Sequence, residues 1–182
     1  MLPYRKCKIA RDIALLAIII VTQILCLSGC GYHFTPGGEY IDKSIQTVFV
    51  DNFSNRTSEA NVEITIRSAF IDQFIRGRRL KLVDTREAAD AVLRGSVDNL
   101  TTAPLSYGKD NLAAEERLLL TMEIVLEERA TQKIIWADKS FSSRQDYPFA
   151  DLTARERNRR DALTKLANDS AENAYRLMMS GF

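Results

Sequence analysis

The chain has 182 residues, 46% of them apolar, with 25 Lys and Arg against 24 Asp and Glu for a formal charge of +1. Near-neutrality leaves no electrostatic footprint for nucleic acid. One histidine and three cysteines leave little material for a metal or thiol centre. The length allows one domain with a real core, and no internal repeat or second domain is visible.

Arg5, Lys6, Lys8 and Arg11, offset only by Asp12, precede an apolar run from Ile13 to Leu27. Two small residues and Cys30 follow, an order that marks a secretory signal peptide. The run covers 15 positions and includes Thr22 and Gln23, short for a spanning helix of about 20 apolar residues. An A-x-A-like cleavage site is lacking. Leu27-Ser28-Gly29-Cys30 is similar to the bacterial lipobox, where the chain is cut before a cysteine that carries S-diacylglycerol and N-acyl groups. Residues 1–29 are therefore expected to be removed, leaving 153 residues that begin at a lipidated Cys30. Gly31, rather than Asp, at the next position is similar to the outer-membrane sorting pattern of enteric bacteria. Cys7 and Cys26 leave with the signal, so no disulfide can form within one mature chain.

Residues 30–44, rich in Gly and polar groups around Pro36, Gly37 and Gly38, read as a lipidated tether. From 45 to 182 the pattern is one domain. Ile45 to Asp51 alternates and predicts a strand, and Asn52 to Ser58 a polar loop. Glu59 to Arg76 predicts a helix, ended by Gly77 in the C-cap role. Val62, Ile66, Phe70 and Phe74 make one stripe on it, and Ile64, Ile71 and Ile75 fall on the other side, which predicts burial nearly all round. Leu80 to Asp84 is a short strand, Thr85 to Asp90 a turn or single helical turn, and Ala91 to Thr102 a longer strand. Pro104 to Ala114 reads as a loop.

Glu116 to Arg129 is the clearest segment. Leu118, Leu120, Met122, Ile124 and Leu126 share one face, with Arg117, Leu119, Thr121, Glu123, Val125 and Glu127 on the other. Strict period two over this length is a half-buried strand. Ala130-Thr131-Gln132 then turns the chain into a strand over Lys133 to Ser143. Thr153-Ala154-Arg155-Glu156 fits a capping box that opens a last helix. Its seam of Leu163, Leu166, Ala167, Ser170, Ala171, Ala174, Leu177 and Met178 suits packing on the chain's own sheet. The expected fold is α+β, a two-layer sandwich of order β-α-β-β-β-α, with two helices on a mainly antiparallel four-stranded sheet.

Catalytic material is sparse. His33, the one histidine, falls in the tether, where no rigid shell can support a site. Neither G-x-S-x-G nor a phosphate-cradling glycine loop occurs. Glu115-Glu116 and Glu127-Glu128 are strand neighbours that point to opposite faces, so they read as solvated residues rather than acid–base pairs. These features argue against an enzyme, and no cofactor is implied. Arg155, Arg157, Arg159 and Arg160 crowd a helix start, where the dipole disfavours positive charge. Glu156 and Asp161 are the expected local partners. Arg117, Lys139 and Arg144 on the hairpin, and Lys109 beside Tyr107, are the candidates for meeting phosphate groups.

Cys30-Gly31-Tyr32-His33-Phe34 resembles the mature start of the LptE family of lipopolysaccharide-assembly lipoproteins. The likeness continues through Val48-Phe49-Val50-Asp51-Asn52-Phe53, Leu82-Val83-Asp84, Ala88 to Gly95 and the hairpin with Trp136. The resemblance implies an outer-membrane lipoprotein anchored on the periplasmic side. Its partners would be an LptD-type β-barrel, which it plugs and helps assemble, and lipopolysaccharide. Only Cys30 carries over residue by residue. A wet lumen would meet the sheet face of Thr121, Glu123 and Glu127. The competing reading is a periplasmic adaptor lipoprotein of another envelope complex, of secretion-channel or Tol type.

Overall fold

The computed structural model describes residues 41–107, 113–148 and 152–181. β1 (Thr47–Val50) and β2 (Ser54–Asn55) precede helix α1 (Val62–Gly77). The two-residue β3 (Lys81–Leu82) and a 3-10 turn (Arg86–Ala88) lead to β4 (Ala91–Tyr107). β5 (Ala113–Glu128), β6 (Ile134–Pro148) and helix α2 (Leu152–Ser180) complete the chain. The sheet runs β3-β1-β4-β5-β6, with β2 also on β4.

The α+β expectation holds, but among the described residues the sheet has six strands rather than four, and it is mixed. β1 pairs in parallel with β3 and β4, and β2 in parallel with β4, whereas β4–β5 and β5–β6 are antiparallel. Parallel pairing follows from α1, a crossover that returns the chain in its original direction. Ser54–Asn55 and Lys81–Leu82 are too short to show a period. β4 and β6 also outrun their expected ends. Pro104 sits inside β4 beside a register shift, one of the few strand positions that tolerate proline.

Both helices cover one face. Leu118, Leu120, Met122, Ile124 and Leu126 are at most 1% exposed and share the core with Val48, Val50, Leu93, Phe70, Leu166 and Met178. Phe53 stacks on Phe70 at 5.4 Å, and Phe74 meets Tyr175 of α2 edge-on at 5.3 Å. Ile41, in the stretch read as tether, is also in this core.

Gly77 does not hold the left-handed cap position. Arg78 does, at φ 55°, with its N–H on the Phe74 carbonyl. Gly77 is needed for approach instead, because a Cβ there would lie 2.3 Å from the Tyr175 ring. Likewise a Cβ on Gly95 would lie 2.4 Å from the Glu123 carbonyl oxygen and 2.6 Å from Phe53. The expected all-round burial of α1 is corrected: Ile64 and Ile75 are each 58% exposed, because the sheet and α2 cover only the opposite stripe. α2 begins at Leu152, so Thr153 lies in its first turn rather than at its cap.

Candidate functional site

The register of the long strands builds an open face opposite the helices. On β5 the outward residues are Arg117, Leu119, Thr121 and Glu123, as alternation required. Thr101 and Arg144 flank Leu119, Asn99 and Ser142 flank Thr121, and Ala103 and Asp146 flank Arg117. Asn99, Thr101, Thr121, Ser142 and Arg144, with Leu119 and Leu120 among them, line a shallow trough of mixed polar and apolar character.

Arg117 forks onto Asp146, with Nε–Oδ1 at 2.6 Å and the second contact at 2.8 Å. Hydrogen bonding from Arg117 holds the Asp146 carboxyl below its ordinary value against a small burial penalty, and the Arg144 charge adds to the effect. Arg144 itself is exposed and, among the described residues, makes no hydrogen bond or ion pair. Lys139 is also exposed but lies apart, beyond the register shift between Met122 and Ile124, beside Trp136 and Leu177. The structure thus brings Arg117 and Arg144 together and leaves Lys139 separate. Lys109 and Cys30 lie outside the described residues.

Lower on the same face the character changes. Glu127, read as a wet-face residue, is 7% exposed. Arg94 reaches its carboxylate at 2.9 Å, and Arg86 bridges it at 3.5 Å to Asp51 at 3.2 Å. Val92 and Val125 of the same stretch are buried as well.

Two of the arginines at the start of α2, Arg155 and Arg159, find distant carboxylates, whereas Arg160 donates to the local Glu156 carbonyl at 3.4 Å. Arg159 forks onto Glu59 at 3.0 and 2.6 Å. Arg155 forks onto Glu116 at 3.1 and 2.8 Å, and the Tyr147 hydroxyl donates to the same carboxylate at 2.6 Å. Glu116 is therefore not solvated; it is 5% exposed. Burial alone would raise its pKa, but the bonds from Arg155 and Tyr147 outweigh that and hold it below the ordinary glutamate value. Burial and Glu116 push the Tyr147 hydroxyl up to about 12, which makes it a structural donor rather than a base. A run of arginines was visible in the sequence; its partners, 39 and 100 residues away, were not.

What the face offers chemically is a surface of polar groups around the exposed Arg144, suited to binding anionic or hydrogen-bonding partners. Among the described residues no helix is long and apolar enough to cross a membrane, and no cluster of three or more potential metal ligands occurs.

Residues 45–178 match the family model described as LptE, lipopolysaccharide-assembly. The fold recurs in protein XCC0632 from Xanthomonas campestris, with TM-score 0.54, 10% identity, and coverage of 81% of this chain and 90% of that one. It also recurs in the PelC dodecamer from Paraburkholderia phytofirmans, with TM-score 0.51, 12% identity, and coverage of 79% and 94%. A third example is the uncharacterized lipoprotein B from Nitrosomonas europaea, with TM-score 0.51, 15% identity, and coverage of 75% and 84%. At these identities the likeness is one of fold alone. No curated protein matches the sequence.

Proposed function

Because the chain belongs to the LptE family of lipopolysaccharide assembly, we propose that it is an outer-membrane lipoprotein held on the periplasmic side by acyl chains on Cys30. In this reading it plugs and helps assemble an LptD-type β-barrel and contacts lipopolysaccharide during insertion into the outer leaflet. The family match over residues 45–178 carries the proposal.

The physical arrangement supports it. A plug needs a compact body with polar groups toward a wet lumen, and Asn99, Thr101, Thr121, Ser142 and Arg144 form such a surface. More than one acyl chain makes anchoring stable. Lipid A phosphates call for Arg or Lys rather than a nucleophile, and the role is binding, not turnover. Arg144, exposed and without a side-chain hydrogen bond among the described residues, is the first candidate for that contact, ahead of Arg117, whose fork is occupied.

The test is a pull-down of the tagged mature protein from detergent-solubilised membranes. A stoichiometric outer-membrane barrel is expected; an inner-membrane or soluble partner in its place would point to the adaptor reading. Cys30→Ala should abolish incorporation of labelled fatty acid, and normal labelling of that variant would falsify the anchor.

A further inference from the structure

β6 ends the sheet: among the described residues it pairs with β5 alone. In an antiparallel edge strand every second residue turns its N–H and C=O away from the partner strand. Side chains mark which set does so here. The Ser140 N–H donates to Asp138 Oδ1 at 2.9 Å. The Asp146 carbonyl accepts from the Gln145 amide at 2.8 Å, and the Pro148 carbonyl accepts from the Asn158 amide at 2.9 Å. Residues 140, 146 and 148 are thus capped from within the chain, and Pro148 has no N–H to offer. Ser142 and Arg144, of the same parity, are exposed and receive no such cap among the described residues.

We propose that this window, Phe141 to Gln145, is a docking edge for a short extended segment of a partner polypeptide, which adds a strand beside β6 and places an acidic side chain against Arg144. The strand-addition mode takes its affinity from main-chain bonds and its selectivity from alternate side chains. Here the N–H and C=O groups of Ser142 and Arg144 supply the bonds. Across β5 the neighbour of Arg144 is Leu119, and the nearby Asp146 is already forked by Arg117. A carboxylate on the added strand therefore supplies the cross-strand charge partner that Arg144 lacks among the described residues. A second copy of this chain would bring the same cations to the seam and is disfavoured for that reason. The inference goes beyond lipopolysaccharide assembly: it engages the same Arg144 side chain, but the main-chain groups of Ser142 and Arg144 that it requires play no part in a phosphate contact, so the two backbone blocks test it separately.

The test uses the full-length lipoprotein in detergent and a fluorescent acetylated heptapeptide amide, Thr-Val-Glu-Val-Glu-Val-Thr, read by anisotropy. So short a window predicts a Kd of about 10–100 μM, and about tenfold weaker binding of the peptide with Lys for Glu. Arg144→Glu should reverse that order. Ser142→Pro, which removes only an outward N–H, should weaken binding about tenfold with an unchanged unfolding midpoint. Should that variant misfold, peptides N-methylated at alternate amides carry the same test and should not bind. The proposal is overturned by no binding at about 1 mM, by equal affinity for the two peptides, or by indifference to both backbone blocks. A dimer in sedimentation that Ser142→Pro dissolves would assign the edge to a second copy and equally overturn it.

Discussion

The two halves of β4 and β5 are built differently. From Ala91 to Val97 and from Met122 to Glu127 most residues on both faces are buried: the helices lie on one side, and on the other Arg86 and Arg94 pair with the buried Glu127. From Asn99 to Tyr107 on β4, no residue is fully buried, and Leu105 and Tyr107 are 41% and 66% exposed. The change falls at the register shift between Val97 and Asn99, where the Asp98 carboxylate accepts from Ser96 and Arg56. One continuous ribbon thus combines a two-sided anchor with a one-sided platform. Stability should reside in the first and contact with partners in the second.

The sharpest way to break that contrast is a matched pair of charges. Ile124→Asp in the anchored half should unfold the domain, a loss of more than about 4 kcal/mol from burying an unpaired carboxylate. Leu119→Asp on the platform, where the side chain is 40% exposed, should cost under about 1 kcal/mol. Comparable urea midpoints for the two would dissolve the distinction. Next, Gly95→Ala should cost about 1–3 kcal/mol by overpacking against the Glu123 carbonyl and Phe53, measured by thermal unfolding.

A milder effect is expected at Glu116→Gln, where charge-assisted bonds to Arg155 weaken by about 1–2 kcal/mol at pH 7. Its pH dependence has a definite sign. The folded-state pKa of Glu116 is lowered from 4.5, so its contribution is complete above that value and fades as pH falls through the lower folded value. The gap between wild type and variant should therefore narrow below about pH 4.5; a gap that stays constant from pH 7 to 3 would show that the carboxylate is not held as described. Thr121→Ala, on the platform, should change stability by less than about 0.5 kcal/mol.

Legibility followed local pattern. The alternation of Leu118 to Leu126, the Val62–Phe74 stripe and the Leu163–Met178 seam each fix a face within a few residues of sequence, and those faces are the ones buried. What escaped depends on distance. Ser54–Asn55 joins the sheet through residues about 40 positions on, and Glu116 and Glu59 are claimed by arginines of the last helix. β6 continues to Pro148 because β5 is there to pair with it, not because Arg144 to Pro148 alternates in hydropathy. On the candidate face, the basic residues were visible as types. That Arg117 is engaged and Arg144 open emerges only from the register.

α2 lies after every strand in the chain, so a chain ordered from its N-terminus has the sheet and α1 before the second helix of its cover. Until residues 152–180 arrive, Leu118, Leu120 and Phe141 lack the α2 part of their cover. The Arg159–Glu59 fork, spanning 100 residues, can close only when that helix arrives. A chain ending short of residue 152 would accordingly leave the apolar face of β5 and β6 without the Leu163–Met178 seam that completes its core.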